Sequence, residues 1–311
     1  MSTKADPLVN KDIANHMKQP WWLGYWQLAR MHKFPAGSIL MILPCFWGYI
    51  FGTRENRPEP LELARILAAI FVGSATLHCA ACTLNDICDV DFDRQVERCK
   101  NRPLAAGTVS MPAAWAFLFL QTAVFFWMLS FVNKAAFLCG TLGAFPLHAF
   151  YPLMKRITWW PQAWLGLAMN WGLPTAWLIA APQDVKSVPM WTLMFGTFCW
   201  TIVYDTIYAF QDRDEDIKAG VKSTAVLFGD YAKPILSLFA VAFVVALAYA
   251  GYETQQGWIY YAISVGGCAV HLLWQLVTVD LDVPEQCRLT FRANADLGYI
   301  MLAGILGEWY L

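Results

Sequence analysis

Apolar stretches of bilayer length recur along the whole chain, and no other feature narrows its possible folds as much. They centre on 36–52, 61–84, 112–132, 134–154, 161–181, 189–210, 233–251, 257–279 and 295–311. Each is close to the roughly 17–25 residues that a helix needs to cross a hydrocarbon core. In lipid the backbone has no water to bond, so a spanning segment must be a helix or a strand of a closed barrel. These runs are too long and too unalternating for barrel strands. The expected fold is all-α, a multi-pass membrane bundle of about nine transmembrane helices, with the lipid bilayer as its first partner. Composition agrees, with 58% of the residues hydrophobic and 14% charged, against about 45–50% and about 25% in a soluble domain.

Charge sets an expected orientation. The N-terminal segment and the loops after the second, fourth, sixth and eighth runs hold 17 Lys and Arg, and the opposite side holds 5. Cytoplasmic loops carry such an excess, so the N-terminus and these loops are expected in the cytoplasm. Residues 1–20 have neither the apolar core of a signal peptide nor the Arg-rich, acid-poor pattern of a mitochondrial transit peptide. They are expected to be a flexible cytoplasmic tail on a single domain covering 1–311. A eukaryotic source then points to the endomembrane system, a bacterial one to the inner membrane. Cys79 and Cys82 form a CxxC inside a predicted span, but the second element that a redox or zinc site requires is missing. All nine cysteines are read as packing residues or free thiols.

Two acidic clusters end even-numbered runs. In "NDICDVDFDRQVERCKNRPLAAG" (85–107) a continuing helix puts Asp86, Asp89 and Asp93 at i, i+3 and i+7, one face bordered by Asn85. In "YDTIYAFQDRDEDIKAGVKST" (204–224) Asp205, Tyr208, Asp212 and Asp216 stand at offsets 0, 3, 7 and 11, again one stripe. The shared parity places both at one membrane face, where a bundle could set them opposite each other across a central cavity. Carboxylates so close repel unless a cation sits among them. An oxygen-only set suits Mg²⁺, which keeps several waters and joins one or two carboxylates to a substrate phosphate. Nearby bases, Arg94, Arg98, Lys100 and Arg102 in one cluster and Arg213, Lys218 and Lys222 in the other, would help neutralise a departing diphosphate. One such loop alone is more often a solvated face. Two matched rows tip the balance, because carboxylates at the rim of a membrane are costly without a partner.

On these residues the chain resembles the UbiA superfamily of membrane prenyltransferases, most closely its 4-hydroxybenzoate polyprenyltransferase branch. The signature NDxxDxxxD stands at Asn85, Asp86, Asp89 and Asp93, and YDTxYAxxDxxxD runs from Tyr204 to Asp216, followed by "KST" at 222–224. "LARMHKFPAG" (28–37), "YPLMKRITWWPQ" (151–162) and "CRLTFRANADLG" (287–298) are similar to further segments of that family. The resemblance implies a nine-helix bundle around a central cavity, Mg²⁺ held by the two motifs, a prenyl diphosphate donor and a phenolic aromatic acid as acceptor. No nucleic-acid partner is expected. By this resemblance Asp86, Asp89, Asp212 and Asp216 would bind metal and diphosphate, with Asn85, Asp93 and Asp205 completing the site. Arg94, Arg102, Lys155 and Lys222 are candidates to contact diphosphate. Tyr151 and Tyr208 are candidates to steer an allylic cation, with an ordinary interfacial anchor as the alternative for each. Arg30 and Arg156 are candidates to hold an acceptor carboxylate, which a guanidinium matches in bidentate fashion.

The chemistry implied is loss of diphosphate toward an allylic cation, attack by a phenol ring ortho to its hydroxyl, and loss of the ring proton. Such a cation demands a dry chamber, and the 16 Trp, 12 Tyr and 20 Phe can line one. The branch carries Arg seven residues before the Asn of the first motif, where this chain has His78, and an Asp-Asp pair where it has Glu215 and Asp216. Replacing a permanent cation by a largely neutral group tilts the expectation from ubiquinone synthesis toward transferases of fungal meroterpenoid pathways. A packed histidine without catalytic consequence is the plainer account of His78. A cation transporter or channel is the rival from another class, but it would place carboxylates near mid-membrane on broken helices rather than at span ends beside Arg and Lys.

Overall fold

The computed structural model describes residues 20–97 and 99–310. The tail expected over 1–20 therefore lies, Pro20 aside, outside the described residues, as does Arg98. A short helix α1 (Trp21–Leu28) leads through a 3-10 turn (Met31–Lys33) into α2 (Ser38–Gly52), then α3 (Pro60–Asp93) and α4 (Met111–Leu129). α5 (Lys134–Leu142) and α6 (Ala149–Ile157) flank a π-helical stretch, Gly143–His148. α7 (Pro161–Asn170) and α8 (Gly172–Ala180) follow, then α9 (Val188–Ala209), α10 (Arg213–Ala219) and α11 (Thr224–Phe228). α12 (Ala232–Glu253), a second π-helical stretch (Tyr260–Gly266) running into α13 (Gly267–Thr278), and α14 (Pro284–Tyr310) complete the chain. No strand occurs among the described residues.

The boundaries follow local chemistry. Proline occupies the first or second position of α3, α4, α7 and α9, where its missing N–H loses nothing and its fixed φ suits the helix. Asn133, Ser187 and Ser223 cap α5, α9 and α11 by accepting from Ala136, Met190 and Val226 backbone N–H groups.

Each of the nine predicted apolar runs contains helix. Among the described residues, six helical segments are both long and apolar enough to cross a membrane: Pro60–Asp93, Met111–Leu129, Lys134–Ile157, Val188–Lys218, Thr224–Glu253 and Tyr260–Thr278. The other three fall short for visible reasons. α2 has 15 residues, the 161–181 run is split at Trp171 into helices of 10 and 9 residues, and α14 begins with a charged half, PEQCRLTFRANAD.

α12 illustrates the solvent for which the fold is built. Leu236, Ala240, Phe243, Leu247 and Ala250 face the interior, while Leu238, Val241, Val245, Tyr249 and Tyr252 recur at helical spacing on its exposed side. A helix apolar all round belongs in a core or a membrane, and here one whole apolar side has no protein against it. The interior is aromatic, with Phe51 stacked on Trp177 at 5.8 Å and Trp200 on Phe243 at 5.9 Å. Polar groups within it form side-chain pairs, as lipid favours: the Trp200 indole donates to Asn294 at 2.7 Å, and Asn170 donates to Thr201 at 2.7 Å. α2 and α8 approach most closely where Gly48 and Gly52 meet the backbone of Leu173 and Trp177, a small-xxx-small contact of membrane type.

Candidate active site

The 34 residues of α3 extend about 51 Å, well past a hydrocarbon core of about 30 Å. Its final turns carry Asn85, Asp86, Asp89, Asp91 and Asp93 and no basic residue in the last turn. Carboxylates at the negative end of a helix dipole are unfavourable, so the segment requires cations from elsewhere in the fold.

They arrive by packing. A small apolar cluster of Leu28, Ala80, Ile87, Leu104, Val109, Ala114 and Leu118 ties α1, the 94–110 loop and α4 to this end of α3. That docking brings in Arg30, whose backbone is left-handed at φ 58°, so that its Nη2 donates to Asp86 Oδ1 at 2.5 Å. From the loop, Arg102 Nη1 donates to Asp93 Oδ2 at 2.8 Å and reaches Asp86 Oδ1 at 3.3 Å. Asp86 is fully buried. Burial alone would loosen the proton of Arg102, but the Asp86 and Asp93 carboxylates more than compensate and raise its pKa above the usual arginine value.

Helix α6 packs on α3 and supplies the other cations. Arg156 lies 3.8 Å from Asp89, donates to the Cys88 carbonyl at 2.7 Å and covers the Phe92 ring at 5.0 Å. Lys155 is within electrostatic reach of both Asp89 and Asp205, and so is the Tyr151 hydroxyl. Tyr151 and Lys155 thus lie near both acidic segments, one from α3 and one from α9. Lys222 fastens the "KST" segment to the end of α6, its backbone N–H to the Lys155 carbonyl at 3.2 Å and its ammonium to the Ile157 carbonyl at 3.3 Å.

One expectation changes, and two candidate cations are found paired with aspartates. The second acidic row is not one helical stripe: Asp205 and Tyr208 lie on α9, Asp212 ends a 3-10 turn (Phe210–Asp212) and Asp216 lies on α10. Asp212 adopts φ −113°, ψ 9°, and Asp214, Glu215 and Asp216 fill the first turn after it. Acids favour a helix N-terminus, so the sequence starts a new helix there instead of continuing the old one. Tyr208 packs its ring on Phe291 at 4.5 Å. Arg94, a candidate for diphosphate, pairs with Asp91 at 3.3 Å on the exposed side of the helix end. Arg30, a candidate for the acceptor carboxylate, is engaged by Asp86, whose burial gives it the stronger demand for a cation.

Replacement of Arg102 by Ala should therefore reduce turnover in isolated membranes by roughly a hundredfold. The same change at Arg94 should leave it within about twofold, since exposed ion pairs contribute little. Equal losses at the two positions would contradict this placement.

Among the described residues no three His, Cys, Asp or Glu side chains gather as a ready-made metal site. The donor set nonetheless fits Mg²⁺, because Asp86 Oδ2 is buried with no hydrogen-bond partner. Mg²⁺ takes one or two carboxylates and completes its shell with water and substrate phosphate, so a lone carboxylate oxygen facing inward is what it requires of the protein. The close approach of α2 and α8 at Gly48 and Gly52 has its signal in the sequence as a GxxxG spacing.

Comparison with known proteins follows the same lines. Residues 41–299 match the UbiA prenyltransferase family. The chain is 45% identical over 292 residues to the UbiA prenyltransferase claS of Ampulloclitocybe clavipes, covering 94% of this chain and 91% of that one. It is 38% identical to the mitochondrial 4-hydroxybenzoate polyprenyltransferase of Arabidopsis thaliana, covering 91% of this chain and 68% of that one. Two solved structures share the fold. A UbiA homologue from Aeropyrum pernix K1 gives a TM-score of 0.75 at 24% identity over 88% of this chain and 98% of that one. One from Archaeoglobus fulgidus bound to GPP and Mg²⁺ gives 0.69 at 20% identity, covering 93% and 100%.

Proposed function

The chain belongs to the UbiA prenyltransferase family, and from that premise we propose that it moves a farnesyl-like or longer prenyl group from an allylic diphosphate to a ring carbon of a phenolic acid. The observation that carries this reading is the fully buried Asp86, held by Arg30 and Arg102 with one oxygen left unpartnered. It lies on the same helix end as Asp89, and Tyr151 and Lys155 are within electrostatic reach of both Asp89 and Asp205.

In this mechanism Arg102, Lys155 and Lys222 grip the diphosphate oxygens, and Asp86, Asp89, Asp212 and Asp216 would hold Mg²⁺. When bound, Mg²⁺ supplies Lewis-acid neutralisation of charge on the leaving diphosphate. Tyr151 and Tyr208 border the reacting carbon and present polarisable faces to positive charge there. A cavity of about 530 Å³, lined by Phe125, Trp127, Met128, Phe131 and Trp171 among others, houses the prenyl chain and keeps water from the reacting carbon. The bond from C1 to the diphosphate oxygen breaks, a bond from C1 to the ring carbon ortho to the hydroxyl forms, and the ring proton passes to the released diphosphate.

The pathway proposed is meroterpenoid or other secondary metabolism, supported by the fungal relative and by His78 in place of arginine. The relatives named as 4-hydroxybenzoate polyprenyltransferases favour a second reading, ubiquinone biosynthesis. We further propose nine membrane crossings with the N-terminus and active site cytoplasmic, in the endomembrane system if the source is eukaryotic.

Isolated membranes offered geranyl, farnesyl and longer diphosphates with a panel of phenolic acids test these points together. Turnover should be highest with farnesyl or longer donors, fall to background in EDTA and return with added Mg²⁺. Turnover that survives EDTA would contradict the metal role, and a strict demand for 4-hydroxybenzoate with a long polyprenyl donor would favour the ubiquinone reading. Mg²⁺ flux in proteoliposomes without any prenyl transfer would overturn the enzyme assignment.

A further inference from the structure

The short helix before the first span, α1, has no charged residue, and its two sides meet different surroundings. Its inward stripe is Gly24 and Leu28, which share a face at i and i+4. A Cβ on Gly24 would stand 2.7 Å from Val109 Cγ2, and Leu28 is fully buried. Beside them Tyr25 meets Phe117 of α4 edge-on at 5.2 Å. The opposite stripe is Trp22 and Trp26, again at i and i+4, and these are 50% and 44% exposed. Trp21, at the start of the helix, is more exposed still. A helix that is apolar on opposite sides belongs in a core or a membrane, and α1 gives one side to the core.

The height of α1 in the bilayer follows from α4. Met111–Leu129 has 19 residues and extends about 28 Å, close to the hydrocarbon thickness of about 30 Å. Met111 therefore lies near the hydrocarbon edge, and Phe117, which holds Tyr25, is about 9 Å further in. Packing on these first turns of α4 sets α1 at the boundary between acyl chains and headgroups. The outer face of α4 beside it carries Trp115 and Phe119, both exposed, so the aromatic stripe of α1 extends a surface that already faces lipid. Tryptophan favours this boundary, where its ring lies against acyl chains and its N–H reaches the headgroups.

We propose that the Trp22 and Trp26 face of α1 is a lipid-docking surface seated in the headgroup boundary of the bilayer, and that this seating holds Arg30 on Asp86. The connection is short. α1 ends at Leu28, and Arg30 follows in left-handed geometry at φ 58° with its guanidinium on Asp86. A helix of 8 residues does not persist by itself, so the geometry of α1 depends on what covers it. The apolar cluster around Leu28 covers one side, and phospholipid covers the other. The consequence for Arg30 rests on the prenyl-transfer reading above; the lipid contact does not.

The test places the full chain in nanodiscs whose phosphatidylcholine carries a photoreactive diazirine, in one preparation beside the glycerol ester and in another at the acyl terminus. Adducts of the wild-type protein should map to the peptide containing Trp21–Leu28 with the first probe and be several-fold fewer with the second. Trp22→Ser combined with Trp26→Ser should lower the first yield several-fold, and Trp22→Phe with Trp26→Phe should keep it. No adducts from the first probe, an excess from the acyl-terminal probe, or labelling that disappears when two chains share a disc would overturn the docking surface. In the same membranes the Ser pair should lower kcat/KM for prenyl transfer roughly tenfold at equal protein. In an Arg30→Gln background it should change the rate by less than about twofold, because the two changes act through one contact. Equal losses in both backgrounds would overturn the link to Arg30 and leave the lipid contact standing. Absence of transfer by the wild-type protein would remove that link together with the parent reading, while the adduct map decides the docking surface by itself.

Discussion

Asp86→Asn should lower prenyl transfer by about 10²–10³-fold while the protein still reaches the membrane at close to wild-type level. The amide keeps the shape of the side chain and can still accept from Arg30. What it removes is the negative charge that opposes two guanidinium groups and the anionic oxygen, Oδ2, that has no protein partner. Asp86→Ala should add a stability defect. Removing one partner of a buried ion pair costs roughly 3–5 kcal/mol, here toward the lower end because Arg30 and Arg102 keep 16% and 22% of their side-chain surface exposed. Turnover at fixed prenyl diphosphate, normalised to protein detected in the same membranes, separates the two effects. Activity of Asp86→Asn within a few-fold of wild type would show that this carboxylate does not serve the reaction.

Gly48→Ala should have the largest effect on the fold itself. A Cβ at Gly48 would stand 2.2 Å from the Leu173 carbonyl oxygen, and one at Gly52 would stand 2.7 Å from that of Trp177. Neither obstacle is a flexible side-chain end, so relief requires α2 and α8 to move apart along their whole contact. Overpacking typically costs about 1–3 kcal/mol and occasionally more, and a clash with backbone belongs at the top of that range. Phe51 stacks on Trp177 beside this contact and would lose its neighbour as the helices separate. Thermal unfolding of detergent-solubilised protein provides the measurement, with Gly73→Ala as control because only Met128 Cε, at 3.9 Å, lies near its added Cβ. A midpoint for Gly48→Ala equal to that of the control would mean the helices are less closely engaged than the structure has them.

Much of the architecture could be read along the chain because its signals are one-dimensional. Hydrophobic length identifies membrane helices, and each predicted run does contain one. Aspartates three and seven residues apart share a helical face wherever the helix continues, which it does through Asp93. It does not continue through Asp212, where the acids that drew attention to the segment also favour a new helix start. The ion pairs were less legible. Arg94 is next to Asp93 in sequence yet turns to Asp91 on the exposed side, while Asp86 takes Arg30, 56 positions away. Spacing supplied the acids but could not choose among the bases.

The sequence by itself determined a helical membrane protein with two aspartate-rich rims suited to diphosphate, since burial of apolar length and helical periodicity act locally and need no knowledge of neighbours. The tertiary structure alone decided that Arg30 and Arg102 neutralise Asp86 and that Tyr151 and Lys155 come within electrostatic reach of both Asp89 and Asp205. The physical reason is that pairing depends on which helix faces are pressed together, and those contacts are set by backbone approach at residues such as Gly48 and by the apolar cluster around Ile87, which draws in Leu28 and Leu104 from other parts of the chain.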